Sequence, residues 1–217
     1  MQTQSGFTLM EIGEFSGWLS QQKVTRSINR IQLHHTWSPS YQHFTGNNHF
    51  KLQSGMKSAH LSRGFSDIAQ QFTIFPDGTI CTGRSLNTAP AGITGANTGA
   101  VCIEILGNFD SGGDTMTDEQ GKAVIQAVRA LLSRFSLRPE TAITYHCWWT
   151  AKGVNLGDYV PGKSAKTCPG TAFFGGNTRA AFERELLPYL KGEYEMITKA
   201  EVEKMIAEAQ PKRYQKV

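Results

Sequence analysis

The spacing of hydrophobic and polar residues predicts that this chain combines β-strands with α-helices. Apolar and polar residues alternate over 31–36, which is the period of a half-buried strand. Residues 100–106 are apolar apart from Glu104, as in a strand that is buried on both faces. Apolar residues at helical spacing follow a capping box over 117–136, so the longest predicted helix lies there and packs on the sheet.

Shorter patterns predict the remaining elements. The turn Pro76-Asp-Gly78 between two apolar runs is typical of a hairpin, with the glycine in the turn. We expect further strands over 70–75, 79–82 and 142–145, and helices over 8–22, 50–60 and 178–190.

The domain organisation follows from length and from a change of character near the end. With 217 residues and no internal repeat, one domain is expected. We predict that it spans 1–191, with 1–26 as an N-terminal helical arm. Residues 192–217 carry a narrow apolar stripe and a polar end, which predicts a helical appendage or linker.

Composition excludes several classes of protein. No apolar run approaches the roughly 18 residues that span a bilayer, so we expect no membrane insertion. The first residues lack the basic and apolar regions of a secretory signal, so we expect the protein to stay in the cytoplasm of its host cell until something else releases it. The net charge of +4 is scattered and no groove-reading motif is present, which argues against nucleic acid and suits an anionic polymer such as a cell wall.

Two histidines and one cysteine could form an open catalytic zinc site, in which three protein ligands leave a position for water. One imidazole comes from the pair His34-His35, whose members lie on opposite faces of the predicted strand, and another from His146 at a strand end. The four cysteines form no CxxC pair, and only Cys168 has a context that suggests chemistry. It precedes a proline, so the chain is extended there and Lys166 projects to the same side.

Each of these residues also has an ordinary structural interpretation. A histidine at a strand end is more often hydrogen-bonded or exposed than a ligand, and Cys168 could be an inert buried thiol. Glu104 could face solvent on an edge strand, although a buried carboxylate needs a partner. Trp148 and Trp149 could stack on a sugar ring, but packing in the core is the more common role. The residues alone leave these alternatives open.

Several sequence blocks, taken in order, resemble the zinc-dependent N-acetylmuramoyl-L-alanine amidases, a family that includes phage endolysins and animal peptidoglycan recognition proteins. The similarity covers roughly residues 31–190. The blocks are His34-His35-Thr36, Gly64-Phe-Ser-Asp-Ile-Ala69, Pro76-Asp-Gly78, Asn97 before Ile103-Glu-Ile-Leu-Gly-Asn-Phe109, His146, and Lys166-Thr-Cys168-Pro169.

The resemblance implies a fold and a set of roles. It implies a central mixed β-sheet flanked by helices, with zinc in a groove on one face. It assigns His34, His146 and Cys168 as Zn²⁺ ligands, and it leaves His35 with a packing role. It further implies that Lys166 stabilises the oxyanion that forms when water attacks the scissile carbonyl. By a looser correspondence, it implies that Glu104 is the general base.

Two positions depart from the family pattern. The tyrosine and histidine that many members have before the second strand are replaced by Gln70 and Gln71, and a frequent histidine upstream of Asn97 is replaced by Gly92. The tyrosine is often placed beside the zinc-bound water. Gln70 can donate a hydrogen bond but not a proton, so this part of the mechanism is open.

The function that follows is hydrolysis of the amide bond between N-acetylmuramic acid and the L-alanine of the stem peptide by a zinc-activated water. The expected setting is a phage endolysin, with a bacterial autolysin or a recycling amidase as alternatives. A non-catalytic peptidoglycan-binding module is the first competing hypothesis, and a metal-free hydrolase that uses Cys168, His146 and Glu104 is the second.

Overall fold

The computed structural model describes residues 1–192, which are built around a seven-stranded mixed β-sheet. The strands are β1 (Gln2–Gln4), β2 (Phe7–Met10), β3 (Arg30–His35), β4 (Phe72–Ile74), β5 (Ile80–Thr82), β6 (Ala100–Ile105) and β7 (Ile143–Tyr145). Their order in the sheet is β1-β2-β5-β4-β6-β3-β7. Pairs β4–β6, β6–β3 and β3–β7 are parallel, and the other three pairs are antiparallel. The predicted mixed sheet is confirmed.

Helices cover both faces of this sheet. They are α1 (Ile12–Ser20), α2 (His49–Ser62), α3 (Asp118–Arg134), α4 (Pro139–Ala142), α5 (Arg179–Ala181) and α6 (Leu187–Lys191), with a π-helical turn at Phe182–Leu186. Helices α1, α3 and α6 contribute to the main apolar core, whereas α2 packs with a smaller cluster that includes Phe75 and Leu106. Within residues 1–192, every helix is too short or too polar to cross a bilayer.

Alternation along β3 and β6 gives the sheet two different faces. Successive side chains of a strand point to opposite sides, and the parallel register places His34 beside Glu104 and Gln32 beside Cys102. We call the side that carries these four residues the site face. The opposite side, the core face, carries buried Ile31, Leu33, Val101, Ile103 and Ile105.

The predicted N-terminal helix over 8–22 was wrong at its start. Phe7–Met10 is the strand β2, which forms a hairpin with β1 and pairs with β5, and the helix begins only at Ile12. A second capping box, made by Glu11 and Glu14, starts the helix three residues later than the box predicted at Thr8. The arm is therefore a hairpin followed by a helix, because the strand finds a partner far along the chain.

The N-terminus of α3 confirms the predicted cap and adds a tertiary role for its glutamine. The Thr117 hydroxyl accepts a hydrogen bond from the Gln120 backbone N–H at 3.1 Å. The Gln120 side chain, however, does not return to the cap. It donates to the carbonyls of Ile74 and Leu106 at 3.0 and 2.9 Å and accepts from the Tyr41 hydroxyl. One buried amide thus joins α3 to the ends of two strands.

Other predicted elements exist with shifted boundaries. Strand β4 begins at Phe72 instead of residue 70, and α2 extends over 14 residues. The predicted C-terminal helix over 178–190 is broken by the π-helical turn after its Thr178 cap. The predicted appendage after Lys191 lies, except for Gly192, outside the described residues, and the division into 1–191 and 192–217 stays a prediction.

Candidate metal centre

The site is built at the carboxyl ends of the parallel strands. His34 is the fifth residue of β3 and lies on the site face, beside Glu104 of β6. Its Nδ1 is 4.0 Å from a carboxylate oxygen of Glu104. His146 directly follows β7 and opens a short 3₁₀ turn, which brings its ring centroid to 5.0 Å from that of His34.

Cys168 completes this group from a loop that is attached to the end of β7. The backbone N–H of Cys147 donates to the carbonyl of Cys168 at 2.8 Å, so the loop is held beside the residue that follows His146. The Cys168 Sγ lies 3.5 Å from His34 Nδ1. One potential ligand atom from each of His34, His146 and Cys168 lies within 4.8 Å of the other two.

The spacing and chemistry of these three residues fit zinc. Ligand atoms about 2.0–2.3 Å from a tetrahedral zinc are about 3.3–3.8 Å from one another, so the observed group needs only a small contraction. Burial lowers the pKa of His34 well below its usual range and that of His146 to about 4, which keeps both imidazoles neutral, as metal ligands must be. Burial also raises the pKa of Cys168 well above 9, so its thiolate requires a nearby cation.

His35 is not part of the group of potential ligands. It lies on the other side of β3, where its Nδ1 accepts a hydrogen bond from the backbone N–H of Phe109 at 3.2 Å. Burial lowers its pKa to about 4, so it is a neutral acceptor. Of the two adjacent histidines, the geometry therefore brings only His34 to Cys168.

Glu104 is a carboxyl group with a perturbed pKa next to the proposed metal position. Its side chain is 17% exposed, and its Oε2 is buried without a hydrogen-bond partner in residues 1–192. Desolvation raises its pKa to about 8, although the charges of Lys166 and Arg63 oppose this shift. The carboxyl can therefore exchange a proton near neutral pH.

Lys166 lies on the wall of the same groove, and its side chain is exposed. Its positive charge is close enough to contribute to the low pKa of both His34 and His146. The groove has a volume of about 1210 Å³, and its wall also contains Trp37 and several residues of α2. The five predicted site residues are thus brought together in a single open groove.

The two departures from the family pattern have distinct structural consequences. Gln70 is fully buried, and its Nε2 donates to the hydroxyl of Thr73 at 3.0 Å, so its donor is already engaged within the protein. At Gly92, a Cβ atom would lie 2.2 Å from Gln32 Oε1 and 3.0 Å from His34 Nε2. A larger residue there would collide with the strand that carries His34.

Sequence reasoning overlooked two residues of this region and considered two others that have structural roles. It did not identify Gln32, a buried amide on the same face as His34, or Trp37 at the groove wall. Trp148 and Trp149 are buried and donate their indole N–H groups to Asn177 and Thr144, both at 2.8 Å. They are core residues and do not offer a free aromatic surface.

Comparison with known proteins agrees with this geometry. A family model described as N-acetylmuramoyl-L-alanine amidase matches residues 24–171. Similar solved structures include wild-type Drosophila PGRP-LB, with 19% identity, a TM-score of 0.56, and coverage of 82% of this chain and 89% of that one. The endolysin N-acetylmuramoyl-L-alanine amidase LysCS from Clostridium intestinale URNW has 24% identity and a TM-score of 0.52, with 77% and 84% covered. No curated protein sequence matches the chain.

Proposed function

Because the chain belongs to the N-acetylmuramoyl-L-alanine amidase family, we propose that it is a zinc-dependent enzyme that cleaves peptidoglycan between N-acetylmuramic acid and L-alanine. The observation that carries this proposal is the convergence of His34, His146 and Cys168 on one point of the groove. Zinc held by these residues would supply a Lewis acid for the scissile carbonyl and would lower the pKa of a bound water.

Glu104 is suited to move the protons of this reaction. It lies beside His34, and its pKa is about 8 in the metal-free protein. A zinc ion bound next to it would lower this pKa towards neutral pH, because a nearby cation favours the charged carboxylate. A general base is most effective when its pKa is close to the working pH. We assign it to take a proton from the attacking water and to deliver that proton to the departing nitrogen of alanine.

Lys166 is suited to stabilise negative charge that develops on the carbonyl oxygen. Its ammonium group is on the groove wall, two residues from Cys168, and it is exposed to an incoming substrate. A fixed positive charge at a developing oxyanion lowers the barrier because the interaction is stronger in the transition state than in the ground state.

A non-catalytic peptidoglycan receptor is the competing function, since proteins titled as peptidoglycan recognition proteins share the fold. The complete group of potential ligands favours catalysis, because binding alone would not require a buried thiol between two neutral imidazoles. A metal-free cysteine hydrolase is less well supported, since burial raises the pKa of Cys168 and so disfavours the nucleophilic thiolate.

Digestion of purified cell walls tests the proposal. We expect new N-terminal alanine without new reducing sugar ends, and we expect a chelator to abolish its release until zinc is restored. Binding to walls without release of alanine would favour the receptor, and activity that resists the chelator but not a thiol alkylator would favour the cysteine hydrolase.

We propose a phage endolysin as the biological setting, which would act on the bacterial cell wall after release from the cytoplasm of the host cell. The endolysin LysCS among the similar structures supports this setting. Peptidoglycan is then the partner, in agreement with a solved complex of a PGRP-LB variant with tracheal cytotoxin.

A further inference from the structure

One large aromatic side chain is exposed on the groove wall. Trp37 follows β3 by two residues, and it is 62% exposed while contributing to the same groove as His34 and Cys168. Within residues 1–192, the Trp37 indole contacts no other aromatic ring, and the indole N–H has no hydrogen-bond partner. Exposed aromatic surface that lines a groove is a common feature of ligand sites.

The backbone at Trp37 is in a conformation that tryptophan rarely adopts. Its φ is 57°, in the left-handed region, where the Cβ of a non-glycine residue is crowded by its own backbone. The position is fixed by its neighbours, since Trp37 N–H donates to the Gly107 carbonyl at 2.9 Å and Thr36 N–H donates to the Ile105 carbonyl at 3.0 Å. Glycine would relieve the strain at this position, and the indole, which is mostly exposed, contributes little packing. Strain of this kind is concentrated at functional sites.

We propose that Trp37 is a stacking platform for a pyranose ring of the glycan strand, which forms a saccharide subsite beside the metal centre. This inference rests on the proposed function. The indole face is apolar and its N–H is a free donor, which suits a sugar that presents C–H groups on one face and hydroxyls at its edge.

The charge distribution along the groove favours a sugar at Trp37 over the stem peptide. Three basic side chains lie on the groove wall: Lys51 and Arg63, from α2 and the residue that follows it, and Lys166. A stem peptide that carries carboxylates is attracted to these side chains. Trp37 instead offers the groove a neutral aromatic surface, directly after the strand that carries His34.

The test compares two substrates that share the scissile amide. One is a disaccharide muropeptide, and the other is the same stem peptide N-acylated by lactate alone, which lacks the sugar. We expect Trp37→Gly to raise the KM for the muropeptide about three- to ten-fold, the range that corresponds to one aromatic stacking contact. We expect kcat on both substrates and the KM for the lactyl peptide to be unchanged, and Trp37→Tyr to restore most of the muropeptide affinity.

Thermal unfolding separates this role from a structural one. Trp37→Gly should unfold at the same temperature as the wild type or higher, because glycine removes the strain. Leu61→Ala, at an exposed apolar position outside the groove, serves as the control and should change neither constant. A large drop in the unfolding temperature of Trp37→Gly, or an equal rise in KM for both substrates, would contradict the proposal that Trp37 stacks on a sugar ring. A wild-type protein that cleaves neither substrate would instead contradict the proposed function.

A second, independent observation concerns Nε2 of His34, the ring nitrogen that does not face Cys168. Gln32 Oε1 and His34 Nε2 are both buried without a hydrogen-bond partner in the described residues, and they lie 2.2 and 3.0 Å from the position that a Cβ at residue 92 would occupy. The Gln32 Nε2 is held by the Ala96 carbonyl at 2.9 Å and by Asn97 Oδ1 at 3.3 Å. These acceptors fix the orientation of the amide, so its oxygen is the atom that is left free.

The geometry points to Gln32 as a positioning residue for His34. The Nδ1 of His34 faces Cys168, so a neutral ring that binds metal through Nδ1 carries its proton on Nε2. Gln32 Oε1 would accept a hydrogen bond from this Nε2–H group, directly or through one water. Metal-bound histidines usually donate their second N–H to such an acceptor. This inference also rests on zinc binding at the site.

The measurement is the zinc dissociation constant, obtained by competition with a chromophoric chelator. Gln32→Met should weaken zinc binding about 10- to 100-fold, as is typical for loss of an outer hydrogen-bond partner. The matched control is Gln53→Met, since Gln53 is another fully buried glutamine with an unpartnered Oε1 and lies outside the metal group. A dissociation constant within two-fold of the wild type in Gln32→Met, or an equal loss in both variants, would overturn this role. A wild type that binds no zinc would contradict the proposed function itself.

Discussion

The two faces of strands β3 and β6 carry very different side chains, although they alternate along the same backbone. The core face is apolar and closely packed by α1 and α3. The site face carries Gln32, His34 and Glu104, each with a buried polar atom that lacks a partner in residues 1–192. Such groups reduce stability unless something binds them. The comparison indicates that the core face stabilises the fold, while the site face carries residues that could bind a metal.

The largest effect is expected from removal of the thiolate. Cys168→Ser should lower both zinc affinity and turnover by at least about 10³-fold, more than the 10- to 100-fold that follows loss of an outer partner. Metal analysis after gel filtration, with circular dichroism to confirm folding, measures this. Cys81→Ser, at a buried cysteine outside the metal group, should keep its zinc. Full zinc retention in Cys168→Ser would remove this residue from the ligand set.

The core face should respond in stability and not in chemistry. Ile103→Ala removes a fully buried side chain and should lower the free energy of unfolding by about 2–5 kcal/mol, whereas Ile103→Val should cost about 0.5–1.5 kcal/mol. Turnover per bound zinc should be unchanged at a temperature where both variants are folded. If Ile103→Val lowers turnover without lowering stability, the separation of the two faces is incorrect.

Lys166 should show the opposite behaviour, with an effect on turnover and none on stability. Lys166→Ala should keep zinc and lower kcat about 10²- to 10³-fold, as for the loss of one oxyanion donor. Its side chain is exposed, so the unfolding temperature should not change. Lys163→Ala, an exposed lysine outside the groove, is the matched control. Equal turnover in the two variants would show that Lys166 does not act on the transition state.

Glu104 should cause a pH-dependent difference in stability. Its pKa is raised from 4.5 to about 8, so the folded protein retains a proton that the unfolded chain releases between these values. The wild type therefore loses stability relative to Glu104→Gln as the pH rises from about 5 to 8. Thermal unfolding of both zinc-free proteins measures this, because their shared histidines cancel. A constant difference across this range would contradict the raised pKa.

Local patterns in the sequence predicted the elements that carry the site. Alternation over 31–36 and the apolar run over 100–106 located β3 and β6, and the interruption of that run marked Glu104 as a residue that needs a partner. The strand predictions succeeded because strand periodicity is a property of neighbouring residues. The extended geometry expected at Cys168 was not found: Cys168 and Pro169 lie in a turn that the Gly170 N–H closes by donating to the Thr167 carbonyl at 3.0 Å.

Features that depend on distant contacts could not be predicted in this way. The segment Phe7–Met10 forms a strand only because β5, some seventy residues later, offers it a free edge. The strained backbone of Trp37 is set by hydrogen bonds from Thr36 and Trp37 to the carbonyls of Ile105 and Gly107, at the end of β6 and just after it. Likewise, Gly92 and Gln32 meet through the tertiary fold, and no local spacing relates them.

Because His34 lies on β3 and β3 pairs with β6, metal binding would depend on the correct register between these two strands. A shift of one residue along β3 would exchange the faces of His34 and His35 and would remove His34 from its place beside Glu104, because neighbouring side chains face opposite ways. His35 therefore cannot replace His34 as a potential ligand, although the two are adjacent in the sequence. Only the native alignment brings His34 to Cys168, so zinc would bind the correctly assembled sheet in preference to any slipped form and would draw misaligned chains back towards it.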